Sequence, residues 1–262
     1  MMNDSDSDVV VKYPKRQIGQ FETILDSLIL EIAFLKAAFQ VNACLSPSVY
    51  NTIDSGPSPA AMIHGGYCRG KDLVKYLMEK CNCPRGLDQK LQYTTTNCTM
   101  SMLENSDPFD HIASFLRLSV YYTWVDEYVS YNYTRKVYYS SLPFPFSYTF
   151  YYLERNSLVQ ECKSKGLLHE IYVTKELEVI YKTIKPLLVN GTFGNGKFTD
   201  LDVVVFSSMA VLFSLPIKSN LFTNFVNNNR YLVNYVMNVN MKLRIWPCKN
   251  TFLAYIDPHT PL

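Results

Sequence analysis

Thiols and imidazoles are the side chains here that could do covalent or metal chemistry, and their spacing limits both. The seven cysteines are Cys44, Cys68, Cys81, Cys83, Cys98, Cys162 and Cys248. An odd number without regular spacing does not read as a disulfide framework. Cys81-Asn82-Cys83 lacks the two-residue gap of a redox pair, and Cys68 has no resolving thiol at that gap. A zinc site needs about four clustered ligands. The first half of the chain offers only His64 and His111 beside its thiols, so no metal is expected. A different kind of site is suggested by Pro143-Phe144-Pro145-Phe146, preceded by Arg135-Lys136. Two prolines exclude helix and hold an extended shape at low entropic cost. The two rings then either cap the protein's own core or stand out as a docking surface. Arg135 and Lys136 would pair with acidic groups on a partner or remain a solvated surface pair.

These residues need a frame, and the composition supplies one. Hydrophobic residues make up 48% of the 262 and charged residues 18%, enough apolar material for a core. A net charge of +2 gives no footprint for nucleic acid. The polar, acidic opening (Asp4-Ser5-Asp6-Ser7-Asp8) is not a secretory signal. It reads as a disordered tail, residues 1–8. Free thiols and unused sequons at Asn97, Asn132 and Asn190 are therefore expected, in a reducing compartment. The longest apolar stretch, Val203 to Ile217, holds three serines and is shorter than the roughly 20 residues of a membrane span. A buried core helix is expected there.

The element pattern divides the chain. Val9 to Pro14 reads as a strand. Leu25, Leu28, Ile29, Ile32 and Leu35 mark a helix, with Thr23 and Asp26 as a capping box. A second strand is expected at Phe39 to Ala43, a loop at Ser46 to Ser58 and a strand at Ala60 to Ile63 entered through Pro59. A turn at Gly65-Gly66 and a helix at Lys71 to Lys80 follow. Residues 9–82 thus form an α/β unit and 83–106 a polar linker. Residues 107–247 are helical and 248–262 a tail. Ile112 to Tyr131 reads as one long helix whose end is Trp124-Val125-Asp126, with Trp124 a core anchor. Leu153 to Lys165 is the next. Leu177, Tyr181, Ile184 and Leu188 share the face of another, broken by Asn190-Gly191 and Gly194-Asn195-Gly196. Thr199 and Asp202 cap the apolar helix. Leu232, Tyr235, Val236 and Val239 define the last.

Strand, helix, strand, proline-led strand, turn and helix, then an all-helical half, resembles the glutathione-transferase architecture: α+β, with a thioredoxin-like first half. A sharper resemblance lies in Trp124-Val125-Asp126, Thr134-Arg135-Lys136, Tyr138 and Leu142-Pro143-Phe144-Pro145-Phe146. In this order and spacing the chain is similar to the metaxin family. Leu25-Asp26-Ser27-Leu28, Ser58-Pro59-Ala60 and Phe198-Thr199-Asp200-Leu201-Asp202 fall in the matching order. The resemblance spans about Val9 to Trp246.

That resemblance implies a non-enzymatic subunit of the sorting and assembly machinery of the mitochondrial outer membrane, on its cytosolic face. It would act in protein import and β-barrel assembly, with a second metaxin and a barrel subunit as partners and no cofactor. Many members of the similar branch end in a membrane anchor. Here no apolar span precedes Pro261-Leu262, so the chain is expected to be peripheral or a truncated form. The alternatives are a glutathione-dependent transferase and a cytosolic adaptor of the same fold. For a transferase, Tyr13 would activate the thiol; otherwise it is a packed strand-end aromatic. Pro59 would be the cis-proline, pairing a substrate or only shaping the turn. Glutathione binding also needs an acid-Ser pair after that turn, where this chain has Tyr67-Cys68-Arg69-Gly70-Lys71-Asp72.

Overall fold

Alternating side chains begin the sheet. In β1 (Val9–Pro14) Val9, Val11 and Tyr13 are buried while Val10 and Lys12 are exposed, the two-residue period of a strand with one covered face. The structure is a computed structural model that describes residues 9–14, 17–18, 21–22, 26–48, 59–86, 120–141 and 143–245. The two expected tails, Thr23 and Leu25 of the first helix, residues 49–58 of the expected loop, 87–106 of the linker and 112–119 of the long helix lie outside them.

A short hairpin follows β1, made of β2 (Gln17–Ile18) and β3 (Phe21–Glu22). The first helix, α1 (Ser27–Phe39), is capped by Asp26, whose carboxylate accepts the Leu28 N–H at 2.9 Å. Two alanines, Ala37 and Ala38, favour carrying the helix on to Phe39. The expected strand at Phe39 to Ala43 is therefore wrong: Gln40 turns the chain at φ 54°, and β4 runs from Ala43 to Ser48. Pro47 is tolerated in it because β4 lies at the sheet edge, where a missing N–H breaks no ladder.

The sheet order is β4-β1-β5-β6, with β1 and β4 parallel across the α1 crossover. The expected strand β5 (Ala60–Ile63) is antiparallel to β1 and β6 (Gly66–Arg69) to β5. The turn falls on His64 and Gly65, at φ 49° and 79°, and Gly66 already opens β6. This strand of four residues is too short for its alternation to show. Helix α2 (Gly70–Lys80) buries Leu73, Val74 and Leu77 as expected.

The helical half contains α7 (Asp200–Ser214), in which every residue is buried. The other helices of this half are α3 (Glu127–Val129), α4 (Arg135–Ser141), α5 (Phe146–Ser164), α6 (Glu170–Ile184), α8 (Asn220–Asn228) and α9 (Arg230–Leu243); α1 and α9 pack directly against α7. Leu188 falls just past α6 and the 3₁₀ turn Lys185–Leu187. Asn190-Gly191 and Asn195-Gly196 both take positive φ in tight turns closed at Val189–Thr192 and Gly194–Lys197. Helix α8 was not anticipated, since asparagines mask it. Ser219 caps it, accepting from Leu221 and Phe222, and Phe222, Phe225 and Val226 anchor it. Among the described residues no helix is long and apolar enough to cross a membrane.

The two halves share one hydrophobic core, running from Val9 to Val239. Phe34 of α1 lies 5.2 Å from Phe198 and 5.5 Å from Phe206, ring centre to ring centre. Thr199 and Asp202 form the expected capping box. Asp202 does more than cap, because its fully buried carboxylate also accepts the Phe193 N–H at 3.1 Å and the Tyr235 hydroxyl at 2.9 Å. Burial pushes this carboxyl above the usual carboxylate range, while those donors pull it back. Beside it, Asp200 ties down the chain leaving α2. Its N–H donates to the Pro84 carbonyl at 3.0 Å, and its carboxylate accepts the Gly86 N–H at 2.6 Å.

Two substitutions follow. A Cβ on Gly86 would lie 2.6 Å from Thr199 Oγ1 and 2.9 Å from Leu201 Cβ. Gly86→Ala should therefore cost about 1–3 kcal/mol in urea unfolding, as overpacking does. Asp202→Ala leaves several buried donors without an acceptor and should cost at least about 3 kcal/mol by the same measurement. Loss below about 1 kcal/mol in the second case would refute the central place given to this carboxylate.

Candidate functional site

A helix break organises the segment that carries the sharper resemblance. Val120 is helical and leads into a π-helical turn, Tyr121–Val125. Asp126, at φ −56° and ψ 119°, ends it. The expected single helix to Tyr131 is therefore two helices, broken where Trp124-Val125-Asp126 was expected to close the first. The carboxylate of Asp126 accepts the Val129 N–H at 2.8 Å and so begins the second helix, which runs through α3 and a π turn (Ser130–Thr134) into α4. Carbonyls at the end of the first helix lose their own donors at such a break. The Thr134 hydroxyl supplies one, donating to the buried Thr123 carbonyl at 2.7 Å.

Trp124 is buried, as expected, but in a second aromatic cluster with Tyr138 and Tyr151 and not in the main core. Its ring centre is 5.4 Å from Tyr138 and 6.0 Å from Tyr151. The polar ends of the two phenols are accounted for. Tyr138 donates to the Glu154 carboxylate. Tyr151 donates to the Ser130 carbonyl at 3.1 Å and shares a 2.7 Å hydrogen bond with the Ser130 hydroxyl. Arg155 Nε also donates to that hydroxyl, at 3.1 Å. Burial pushes the Tyr151 phenol up.

The outer side of this cluster is open. The Arg135 guanidinium lies over the Tyr131 ring at 5.2 Å and the Tyr139 ring at 5.8 Å, while Lys136 is exposed. Arg155 lies over the same Tyr131 ring at 5.4 Å. Helix α5 begins at Phe146, seven residues before the expected Leu153, because Pro145 takes its N-cap place and the Pro143 and Pro145 carbonyls accept the Ser147 and Thr149 N–H groups, each at 3.1 Å. The Phe144-Pro145 bond is cis. Phe144 is 83% exposed and Phe146 55%, so of the two alternatives for these rings they stand out and do not cap the protein's own core. Tyr139, Tyr148 and Leu153 are exposed around them. Among the expected residues, then, Trp124 lies in this cluster and Arg135 reaches it through Tyr139, with Lys136 exposed beside it, while Pro143 to Phe146 lie between α4 and α5, where Phe146 stacks on Phe150 at 6.4 Å.

The other candidates stay apart from it. Pro59 is buried, and its carbonyl accepts the Gly70 N–H at 2.7 Å, tying the start of β5 to the start of α2. The expected cis bond involves Ser58, outside the described residues. Tyr13 is packed at the end of β1. The Cys68 thiol is pushed up by burial and by nearby Asp72, which disfavours the thiolate that nucleophilic work needs. Among the described residues no three His, Cys, Asp or Glu side chains gather as a metal would require.

Sequence reasoning missed Ser130, Tyr131, Tyr139, Tyr148 and Arg155. The signal existed: Tyr131, Arg135 and Tyr139 are four apart, as are Tyr148 and Tyr152, so each set shares a helix face. It was hidden among 20 tyrosines. No protein-family model matches the chain, and no curated protein sequence matches it.

The frame and its surface should separate experimentally. Thr134→Val keeps the shape and removes the bond to Thr123, so it should cost about 1–2 kcal/mol in urea unfolding. Phe144→Ser and Phe146→Ser, at exposed positions, should stay within about 0.5 kcal/mol of the parent.

Proposed function

We propose that the chain is a non-enzymatic, metaxin-like subunit of the mitochondrial outer-membrane machinery for protein import and β-barrel assembly. It would work through contact surfaces and not through bond-making chemistry. One observation carries this reading. The residues of the 124–146 resemblance fall into one unit, in which Trp124, Asp126, Thr134 and Tyr138 build the frame and the Pro-Phe-Pro-Phe loop is its exposed edge.

The glutathione-transferase-like reading of the fold belongs to the same proposal. A β4-β1-β5-β6 sheet with a parallel first pair and an antiparallel second pair supports a thioredoxin-like first half. The buried, capped α7 supports the helical second half. On this reading residues 9–82 and 107–247 are the two halves. A packed Tyr13, a Cys68 thiol pushed up by burial and by Asp72, and the absence of an acid-Ser pair after β6 favour binding over glutathione chemistry.

The test is a pull-down of the tagged chain from gently solubilised mitochondria, with co-purifying proteins identified by mass spectrometry. Recovery of the barrel-assembly subunit and a second metaxin is the expected result. A chain found in the soluble cytosolic fraction with neither partner overturns the proposal.

A further inference from the structure

The α4–α5 pair, joined side by side through Tyr138, Tyr139 and Tyr151, is graded in its chemistry from its Phe144–Phe146 end inward. At its tip stand Phe144 and Phe146, 83% and 55% exposed. Next come tyrosines, linked ring to ring: Tyr148 to Tyr152 at 4.5 Å, Tyr152 to Tyr151 at 5.1 Å and Tyr151 to Tyr139 at 6.5 Å. Then come Arg135, over Tyr139, and Arg155, which shares the Tyr131 ring with it. Among the described residues neither guanidinium forms a salt bridge to a carboxylate, and the neighbouring Glu154 carboxylate is taken by Tyr138.

Apolar tip, amphipathic rings, then cations is the order in which a bilayer presents its acyl boundary, headgroups and phosphates. The backbone suits that setting. Pro143 and Pro145 have no N–H to bury, and their carbonyls accept from Ser147 and Thr149. The loop would thus carry few bare polar groups into hydrocarbon, where each is costly. Two guanidiniums set on one ring suit several phosphates of a surface. Stacking over aromatic rings lets guanidinium donors turn outward; in Arg155 the Nε is already held by the Ser130 hydroxyl, so its terminal amino groups would do so.

We infer that this face rests on an anionic lipid bilayer: Phe144 and Phe146 enter the acyl boundary, Tyr139, Tyr148 and Tyr152 stay among the headgroups, and Arg135 and Arg155 take lipid phosphates. The inference builds on the reading of this face as a contact surface in the proposed assembly and names the lipid as what it meets.

The experiment is flotation of the full chain with vesicles of phosphatidylcholine, with and without phosphatidylserine. The chain should float with the anionic vesicles and release as salt is raised. F144S/F146S should lower the partition coefficient more than about tenfold, and R135Q or R155Q about fivefold each. F144W, at an exposed site, should report insertion through quenching by brominated acyl chains above that of the parent. Flotation unaffected by F144S/F146S, or no flotation of the parent, overturns the inference. The pull-down then tells two failures apart. If F144S/F146S no longer recovers the partner subunits, the face docks protein and the proposed function stands without the lipid. If neither vesicles nor partners are bound by the parent, both readings fall.

Discussion

A carboxylate with no exposure, Asp202, holds the centre of this protein together. It lies in the first turn of α7, the helix buried along its whole length, and it gathers the strand-like turn at Phe193, the cap at Thr199 and the Tyr235 hydroxyl of α9. A buried charge is tolerated only when its lone pairs are used. These donors come from three separate stretches of chain, so satisfying the carboxylate fixes where each must lie. Next to it Asp200 receives the chain leaving α2 through Pro84 and Gly86. The same helix end therefore organises the helical half and attaches the sheet-bearing half to it.

Much of this was legible. The box at Thr199 and Asp202, the burial of the Val203 to Ile217 stretch and the buried face of α9 follow from spacing and composition, because local rules and tertiary packing agree there. The mixed α+β class was legible for the same reason. The boundaries that went wrong are places where a local rule had competition. At Phe39 aromatic strand propensity lost to a helix already under way. At Leu153 a run of tyrosines and phenylalanines concealed a helix starting seven residues earlier, at Phe146. Aromatic residues favour strands only weakly when a proline-led N-terminus and a packed face choose the helix.

The site was legible in its members but not in its construction. Trp124, Thr134, Arg135 and the Pro-Phe-Pro-Phe loop stand out in the sequence, yet their spacing does not reveal that Asp126 breaks one helix and begins the next. A single backbone torsion, ψ 119° at Asp126, redirects the chain. Thr134 then repairs the broken end from eleven residues away, through its bond to Thr123. Nothing local in the sequence links these two threonines. The exposure of Phe144 and Phe146 was also undetermined, since a stiff apolar loop can face inward or outward with the same composition.

The wall between the two aromatic regions explains how such a surface is kept without weakening the core. Tyr122 and Trp124 are two residues apart, which on a helix places them on nearly opposite faces. Tyr122 faces the main core, 5.0 Å from Phe222, with its hydroxyl close to Glu170 and Thr174. Trp124 faces Tyr138 and Tyr151. One short stretch of helix thus forms a side of both clusters. The smaller cluster uses Trp and Tyr, whose polar ends can be satisfied at its margin by Ser130 and Glu154 while their rings pack. A satellite core of this kind can carry exposed rings and cations on its far side. The smaller cluster is thus packed apart from the main core, although Val129 and Cys162, on the helices that flank it, join that core.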